Sequence, residues 1–312
     1  MGHRIHDDEL DTGEATVRAL LATACPQWAG RRLEYLQTSG TDNAMWRVRV
    51  GDDRDVVVRL PRRARTSEKV AMETELLVRL STTAVARVFS IPPVLHVGEP
   101  HDVFPHHWTV LGWLPGSDAW TARGSIADEL EGLGDDLGLA VCAIRQLPPD
   151  LPAPGRVAGE RGGPMVDLVR QTEHVWLDDP TCRAPELMDV ARVKALLSEG
   201  LAVVGPTDRC FVHGDLIPGN LLVHSGRLTG ILDWGGAGYG DPAQDLAPAW
   251  SVLDEAARAR FRRTVGADDD EWMRARTIEL AHAVAGVVYY VPRRHALGDV
   301  MAATLGRILD ER

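Results

Sequence analysis

Apolar residues fall at helical spacing from Thr12 to about Cys25, with Ala15, Val17, Leu20, Leu21 and Ala24 following acidic Asp11 and Glu14. This spacing predicts an opening amphipathic helix. The period then shortens. Leu33 to Gln37, Met45 to Val50 and Asp55 to Leu60 are brief apolar-rich runs separated by Thr38-Ser39-Gly40-Thr41-Asp42-Asn43-Ala44 and by Gly51-Asp52-Asp53, so a three-stranded meander is expected. In the third strand the two-residue period sets Val57 and Arg59 on one face and Val56, Val58 and Leu60 on the other.

Helical spacing returns over Ser67 to Leu80, with Val70, Leu76, Leu77 and Leu80 on the apolar side and Ser67 as the expected N-cap. Trp108 to Leu114 reads as a buried strand closed by Pro115-Gly116. Leu130, Leu133, Leu137, Ala140, Val141 and Ile144 define a long amphipathic helix over Ile126 to Leu147, stopped by Pro148-Pro149. A Pro- and Gly-rich surface loop is expected over Pro148 to Pro164, and a helix over Pro185 to Val203. Two apolar runs then flank Ser225-Gly226, which reads as a hairpin turn. Helices over Asp254 to Val265, Asp270 to Tyr290 and His295 to Leu309 complete the chain.

Strands early and helices late give an α+β class, and 312 residues exceed what one core usually serves, so two lobes are expected. The formal charge of −11 argues against a nucleic-acid binder, which carries a basic face. It is compatible with a cationic ligand and equally with plain solubility. Cys25, Cys142, Cys182 and Cys210 form no CxxC pair, so neither a zinc site nor a disulfide framework is indicated. No apolar run approaches the length needed to cross a bilayer, and a cytoplasmic protein without a membrane partner is expected. No GxxxxGK[ST] occurs, which argues against a Walker-type nucleotide site.

The candidate chemistry sits around the predicted hairpin. Asp215 ends the first apolar run, Asn220 stands five residues on as the next strand begins, and Asp233 lies at the far end of the return strand. A carboxylate, an amide oxygen and a second carboxylate are hard oxygen donors, suited to Mg²⁺ and to a hydroxyl awaiting deprotonation.

The run His213-Gly214-Asp215 with Asn220, followed by Ile231-Leu232-Asp233-Trp234, resembles the catalytic and metal-binding loops of the aminoglycoside phosphotransferase family, whose members are small-molecule kinases. Gly240-Asp241-Pro242-Ala243-Gln244-Asp245-Leu246-Ala247 is similar to that family's G-D-P-x-x-D-L-A segment. Arg59-Leu60-Pro61-Arg62-Arg63 with Ser67-Glu68-Lys69 is similar to its macrolide phosphotransferase members. The resemblance implies a bilobal, protein-kinase-like fold, with a small β-rich N-terminal lobe over residues 1–114 and a larger, mainly helical C-terminal lobe over 115–312.

By position, the resemblance makes Asp215 the base for the substrate hydroxyl and Asn220 and Asp233 the Mg²⁺ ligands. His213 and Asp245 would support the loop structurally. Ser39, Gly40 and Thr41 would lie over the triphosphate, and Gly112, Trp113 and Leu114 would form the hinge that receives the purine edge. Arg59 stands where the family usually has Lys. A guanidinium grips phosphate oxygens with two donors but is bulkier than an ammonium. Glu73 is its expected partner, with Glu68 and Glu75 as alternatives. Asp241 reads as structural or as facing the metal region. The acidic run Asp268-Asp269-Asp270-Glu271 fits either a receptor for a substrate's ammonium groups or an N-terminus favoured by the helix dipole.

The implied activity is transfer of the γ-phosphoryl of ATP or GTP to a hydroxyl of an antibiotic, conferring resistance. The acceptor would be an aminoglycoside, a macrolide, or a sugar-bearing nucleoside or peptide drug. A metabolic sugar or amino-alcohol kinase and a nucleotide-binding pseudokinase are the alternatives. Nine tryptophans suit ring stacking on a sugar as well as ordinary cores.

Overall fold

Alternation along the first third of the chain builds one sheet, and helical periodicity builds nearly everything after it. The computed structural model describes residues 9–36, 43–51, 54–153, 163–203 and 208–311. Helices α1 (Glu14–Ala24) and α2 (Pro26–Ala29) precede β1 (Arg32–Leu36), β2 (Asn43–Arg49) and β3 (Val56–Pro61). Helix α3 (Ala64–Leu80), β4 (Val94–Gly98) and β5 (Trp108–Gly112) follow. The five strands form an antiparallel sheet in the order β1-β2-β3-β5-β4.

The period-two reading of β3 decides what each face of this sheet meets. Val56, Val58 and Leu60 pack with Trp46, Val48 and Val110 against Val17, Leu20 and Leu21 of α1, which closes one core. The opposite face carries Arg59 toward α3 and the remainder of the chain. Helix α3 starts at Ala64 with Arg63 at its N-cap, so Ser67 is not the cap expected for it. The strand ends at Pro61, whose ring offers no N–H to a ladder, and the helix begins after a connection of Arg62 and Arg63 alone.

The rest of the chain packs round a second, larger core that also takes in Leu76, Leu77 and Leu80 of α3 and Leu111 of β5. Its elements are β6 (Ser117–Asp118), α4 (Ala119–Ala122), α5 (Leu130–Arg145), α6 (Met165–Thr172), α7 (Val190–Leu201), β7 (Cys210–Val212), β8 (Leu221–His224), β9 (Arg227–Ile231) and β10 (Gly238–Gly240). Helices α8 (Pro248–Ser251), α9 (Glu255–Val265), α10 (Asp269–Tyr290) and α11 (Ala296–Asp310) complete it. Helix α6 and the π-helical turn Glu173–Leu177 that continues it lie in a stretch where periodicity predicted no element. Part of the expected loop before it, residues 154–162, falls outside the described residues. Among the described residues no helix is long and apolar enough to cross a membrane.

The expected hairpin is present as β8 and β9. Its turn residues Ser225 (φ 47°) and Gly226 (φ 65°) are both left-handed, the backbone required of a two-residue turn that matches strand twist. β7 does not extend the hairpin; it pairs with β10 instead. The loop from β7 to β8 therefore carries Asp215 and Asn220, and the chain leaving β9 carries Asp233.

Helix α5 packs on α9 with Gly134 and Gly138 in the contact. A Cβ on Gly134 would lie 2.6 Å from the Ala257 carbonyl oxygen, and one on Gly138 2.6 Å from Thr264 Cβ. This i, i+4 pair puts both gaps on one helix face. Gly134→Val should overpack that contact and cost about 1–3 kcal/mol of stability, read as a lowered thermal unfolding midpoint; an unchanged midpoint would show that the helices separate freely.

Candidate active site

Between β7 and β8 the backbone turns sharply, and a buried carboxylate fixes the turn. Asp245 is wholly buried and accepts from the N–H groups of His213 at 2.7 Å and Gly214 at 2.7 Å. Burial pushes its carboxyl above the ordinary range, and His213 together with the two N–H donors pulls the other way. Gly214 has φ 79°, a conformation that glycine adopts without strain. The ring of His213, fully buried, continues the bracing: its Nδ1 accepts from Asp215 N at 3.2 Å and its Nε2 lies 3.1 Å from the Leu232 carbonyl. The same ring meets Trp234 edge to face at 4.6 Å. His213 and Asp245 therefore both hydrogen-bond to the backbone of the turn that carries Asp215.

Asp215 and Asn220 are brought into direct contact. Asn220 Nδ2 donates to the Asp215 carbonyl at 2.9 Å and to Asp215 Oδ2 at 3.2 Å. Both residues remain half-buried. Asp233 joins them through the neighbouring backbone, because Leu232 N donates to the Asn220 carbonyl at 2.8 Å. Asp233 itself is left-handed (φ 60°), an uncommon state for a residue with a side chain, and its carboxylate is 37% exposed. Gly235 and Gly236 follow without side chains. A Cβ on Gly235 would come within 3.6 Å of Asp233 Oδ1, and one on Gly236 within 3.8 Å of Asp215 Cβ. The three residues therefore line one region at the mouth of the β8–β9 hairpin.

Across from them stands Arg59. Its Nη1 donates to Glu73 Oε1 at 2.6 Å and its Nη2 to Asp233 Oδ1 at 3.2 Å. Glu73 of α3, one of the three glutamates considered for it, is in contact with Arg59. The same Glu73 oxygen accepts from Trp234 N at 3.0 Å. Burial pushes the Glu73 carboxyl up; Arg59 opposes this and the Asp233 charge adds to it. A third contact was not foreseen from sequence: with its amide oxygen turned to the guanidinium, Asn43 accepts from Arg59 Nε at 3.1 Å and Nη2 at 2.8 Å. Only the strand register signals it, since Asn43 opens β2 opposite Pro61.

Gly112, Trp113 and Leu114 are half-buried where the chain leaves β5. The Trp113 N–H donates to the Asp55 carbonyl at 3.0 Å, which ties the segment to the sheet. Ser39, Gly40 and Thr41 lie outside the described residues. The acidic run has local partners. Asp268 caps α10 by accepting from Glu271 N at 2.7 Å, Asp269 pairs with Arg262, and Glu271 pairs with Arg145 at 2.5 Å. Asp241 pairs with Arg274 at 3.0 Å and accepts from Ala243 N at 3.0 Å, the structural role of the two considered for it. Cys210, behind the loop, has its thiol pushed up to about 11 by burial, which leaves it protonated and unreactive.

The donors present suit a divalent ion. The amide hydrogens of Asn220 are committed to Asp215, which leaves its oxygen as a lone-pair donor. Asp233 adds a half-exposed carboxylate. One neutral and one anionic oxygen are the kind of protein set Mg²⁺ accepts when phosphate oxygens and water complete its shell.

The profile of the phosphotransferase enzyme family matches residues 36–280. Among solved structures, the chain is similar to the GDP and kanamycin complex of APH(2″)-IIIa, with a TM-score of 0.71 and 17% identity over 94% of this chain and 96% of that one. It is also similar to the gentamicin complex of APH(2″)-IIa, with a TM-score of 0.61 and 16% identity over 97% of this chain and 98% of the other. An aminoglycoside 3′-phosphotransferase of Escherichia coli is 44% identical over 48 residues, and the uncharacterized protein YcbJ of Bacillus subtilis (strain 168) 42% over 51. These matches span 18% and 17% of the two relatives. The protein-kinase-like, bilobal architecture is shared along nearly the whole chain.

Asp245→Ala would leave two buried N–H donors without acceptors. Each costs about 1–3 kcal/mol, so a drop of about 2–6 kcal/mol in unfolding free energy is expected by denaturant titration. A change below about 1 kcal/mol, within the range of ordinary surface substitutions, would show that the turn holds without this carboxylate.

Proposed function

Because the chain belongs to the phosphotransferase enzyme family, we propose that it transfers the γ-phosphoryl of ATP or GTP to a hydroxyl of an antibiotic, with an aminoglycoside as the first candidate acceptor. The observation that carries this reading is that Asp215 hydrogen-bonds with Asn220 and Arg59 pairs with Asp233, the two pairs being joined through the Leu232 N–H bond to the Asn220 carbonyl. Similar folds in complex with GDP and kanamycin or with gentamicin support both the donor class and the acceptor class.

Asp215 is assigned as the base. A hydrogen bond from Asn220 Nδ2 to Asp215 Oδ2 orients the carboxylate that would accept the proton of an incoming hydroxyl. The hydrogen bond from Asp215 N to His213 fixes the backbone beneath the carboxylate, so the group is oriented before substrate arrives. Arg59 is assigned to the phosphates. Its guanidinium is held flat between Glu73 and Asp233, presents fixed N–H donors, and is worth more in this partly dehydrated setting than in water. Glu73 is a positioning residue, fully enclosed and aimed at Arg59. Asn220 and Asp233 would hold Mg²⁺, which would supply neutralisation of the charge developing on the transferred phosphoryl group. Gly112, Trp113 and Leu114 are assigned to the base end of the nucleotide, and Ser39, Gly40 and Thr41 to its phosphate end.

Nucleoside diphosphate formation and phosphorylation of the acceptor, with ATP and GTP separately, against a panel of aminoglycosides, macrolides, simple sugars and amino alcohols, test the reading. Turnover of an aminoglycoside is the expected outcome. Turnover confined to a sugar or amino alcohol would replace the acceptor by a metabolic one. Nucleotide binding without turnover of any acceptor would make the chain a binding protein. In the active pairing, Asp215→Ala should lower kcat by about 100-fold or more with the nucleotide Kd changed by no more than about twofold; an unchanged kcat would remove Asp215 from the chemistry. Chelation of divalent cations should abolish turnover and added Mg²⁺ restore it, while activity in excess chelator would remove the metal assignment of Asn220 and Asp233.

A further inference from the structure

We propose that Arg47 is a purine-binding residue, whose guanidinium plane stacks on the base of the donor nucleotide. The inference rests on the nucleotide reading given above. Residues directly opposite on antiparallel strands share a face of the sheet. Met45 of β2 is opposite Arg59, and Arg47 is opposite Val57, which in turn is opposite Leu111 of β5. Arg47 therefore stands on the face that carries Arg59, one row nearer the hinge. Two residues along a strand are about 7 Å, so a nucleotide with its phosphates at Arg59 and Asp233 extends its base across the row of Arg47, Val57 and Leu111. The other two members of that row are aliphatic.

The guanidinium is already arranged for a planar partner. Its Cζ lies 3.8 Å from the ring centroid of Trp113, the middle residue of the segment assigned to the base. Its Nε and Nη2 both reach Asp55 Oδ2, at 2.8 and 2.7 Å, which fixes the plane of the fork. The side chain still keeps 22% of its area in solvent. Holding Asp55 alone does not account for Arg47. That carboxylate also accepts from Val50 N at 2.8 Å and Gly51 N at 3.1 Å and lies 3.2 Å from Arg49 Nη1. What Arg47 adds is a flat cation beside an aromatic ring at the base end of the cleft. Guanidinium groups stack on π-faces, and adenine and guanine both offer one.

Equilibrium binding of ATP, GTP and inorganic tripolyphosphate to the full chain and to its Arg47 variants tests this. Arg47→Ala should weaken ATP and GTP about tenfold, as loss of a cation–π contact implies, while tripolyphosphate, which has no base, should bind within about twofold of the unaltered chain. Arg47→Lys keeps a charge for Asp55 but lacks the plane, and should weaken both nucleotides nearly as much as Arg47→Ala. Equal nucleotide affinity in all three proteins, equal weakening of tripolyphosphate, or full recovery with Lys would each overturn the assignment while leaving the kinase reading in place. Failure of the unaltered chain to bind either nucleotide would instead bring down that reading and this inference with it.

Discussion

The guanidinium of Arg59 ties together three parts of the chain that sequence keeps far apart. It starts on the sheet, donates to Glu73 of α3 and reaches Asp233 beyond β9. Glu73 closes the figure by accepting from Trp234 N. Each member would be costly to enclose alone, since a buried charge needs both a counter-charge and hydrogen bonds. Together they are nearly complete: the Glu73 oxygen has two donors, and the guanidinium has acceptors from Glu73, Asp233 and Asn43. The network sets where α3 lies relative to the sheet and where the Asp233 loop lies relative to both. Asp215 and Asn220 are set separately, by the turn that Asp245 and His213 brace.

Residues joined by short-range constraints were legible in the sequence. The His213 to Asn220 loop, the Ile231 to Trp234 run and the Gly240 to Ala247 segment each carry fixed spacings that one strand-and-turn geometry explains. The alternation of β3 placed Arg59 opposite the apolar face before any coordinate was known. Contacts that depend on register between separate strands were less legible. Asn43 and Arg47 are ordinary polar residues of β2 until β2 is paired with β3, and nothing local says that Trp113 will lie beside a residue 66 positions earlier. Helix α6 was missed for a related reason: it is only eight residues long, with Pro164 at its N-cap, and its apolar positions are too few to establish a period. Gly134 and Gly138 look like helix weaknesses in isolation, and only the approach of α9 explains them.

Charge illustrates the same limit from the other side. The run Asp268 to Glu271 is the densest acidic stretch at the C-terminal end, and sequence alone leaves it as either a receptor for a cation or a helix N-terminus. In the structure Asp268 serves as a helix cap, while Asp269 and Glu271 are matched by Arg262 and Arg145. An acidic run at a helix start is stabilised by the N–H groups and dipole there, so its presence carries no information about a ligand. The carboxylates that matter to the site, Asp215 and Asp233, are single residues separated by apolar strands. Their distinction is that the fold leaves them half-open to solvent while enclosing Glu73 and Asp245 beside them.

Arginine at position 59 changes how this arrangement is held. An ammonium is a point charge on a flexible stem, whereas a guanidinium is a rigid fork whose separate N–H groups can address separate acceptors. Arg59 uses that fork to hold the helix carboxylate with Nη1 and the loop carboxylate with Nη2. Asp233 therefore has a cationic partner in the protein itself, and its left-handed backbone, which costs on the order of 1–3 kcal/mol for such a residue, is supported from two sides. A nucleotide entering the cleft meets a cation already shared between two carboxylates. On the proposed reading, phosphates at Arg59 would compete with Asp233 for the Nη2 donor. Arginine in place of lysine would then link phosphate capture to the carboxylate assigned to the metal, because one fork holds both Glu73 and Asp233.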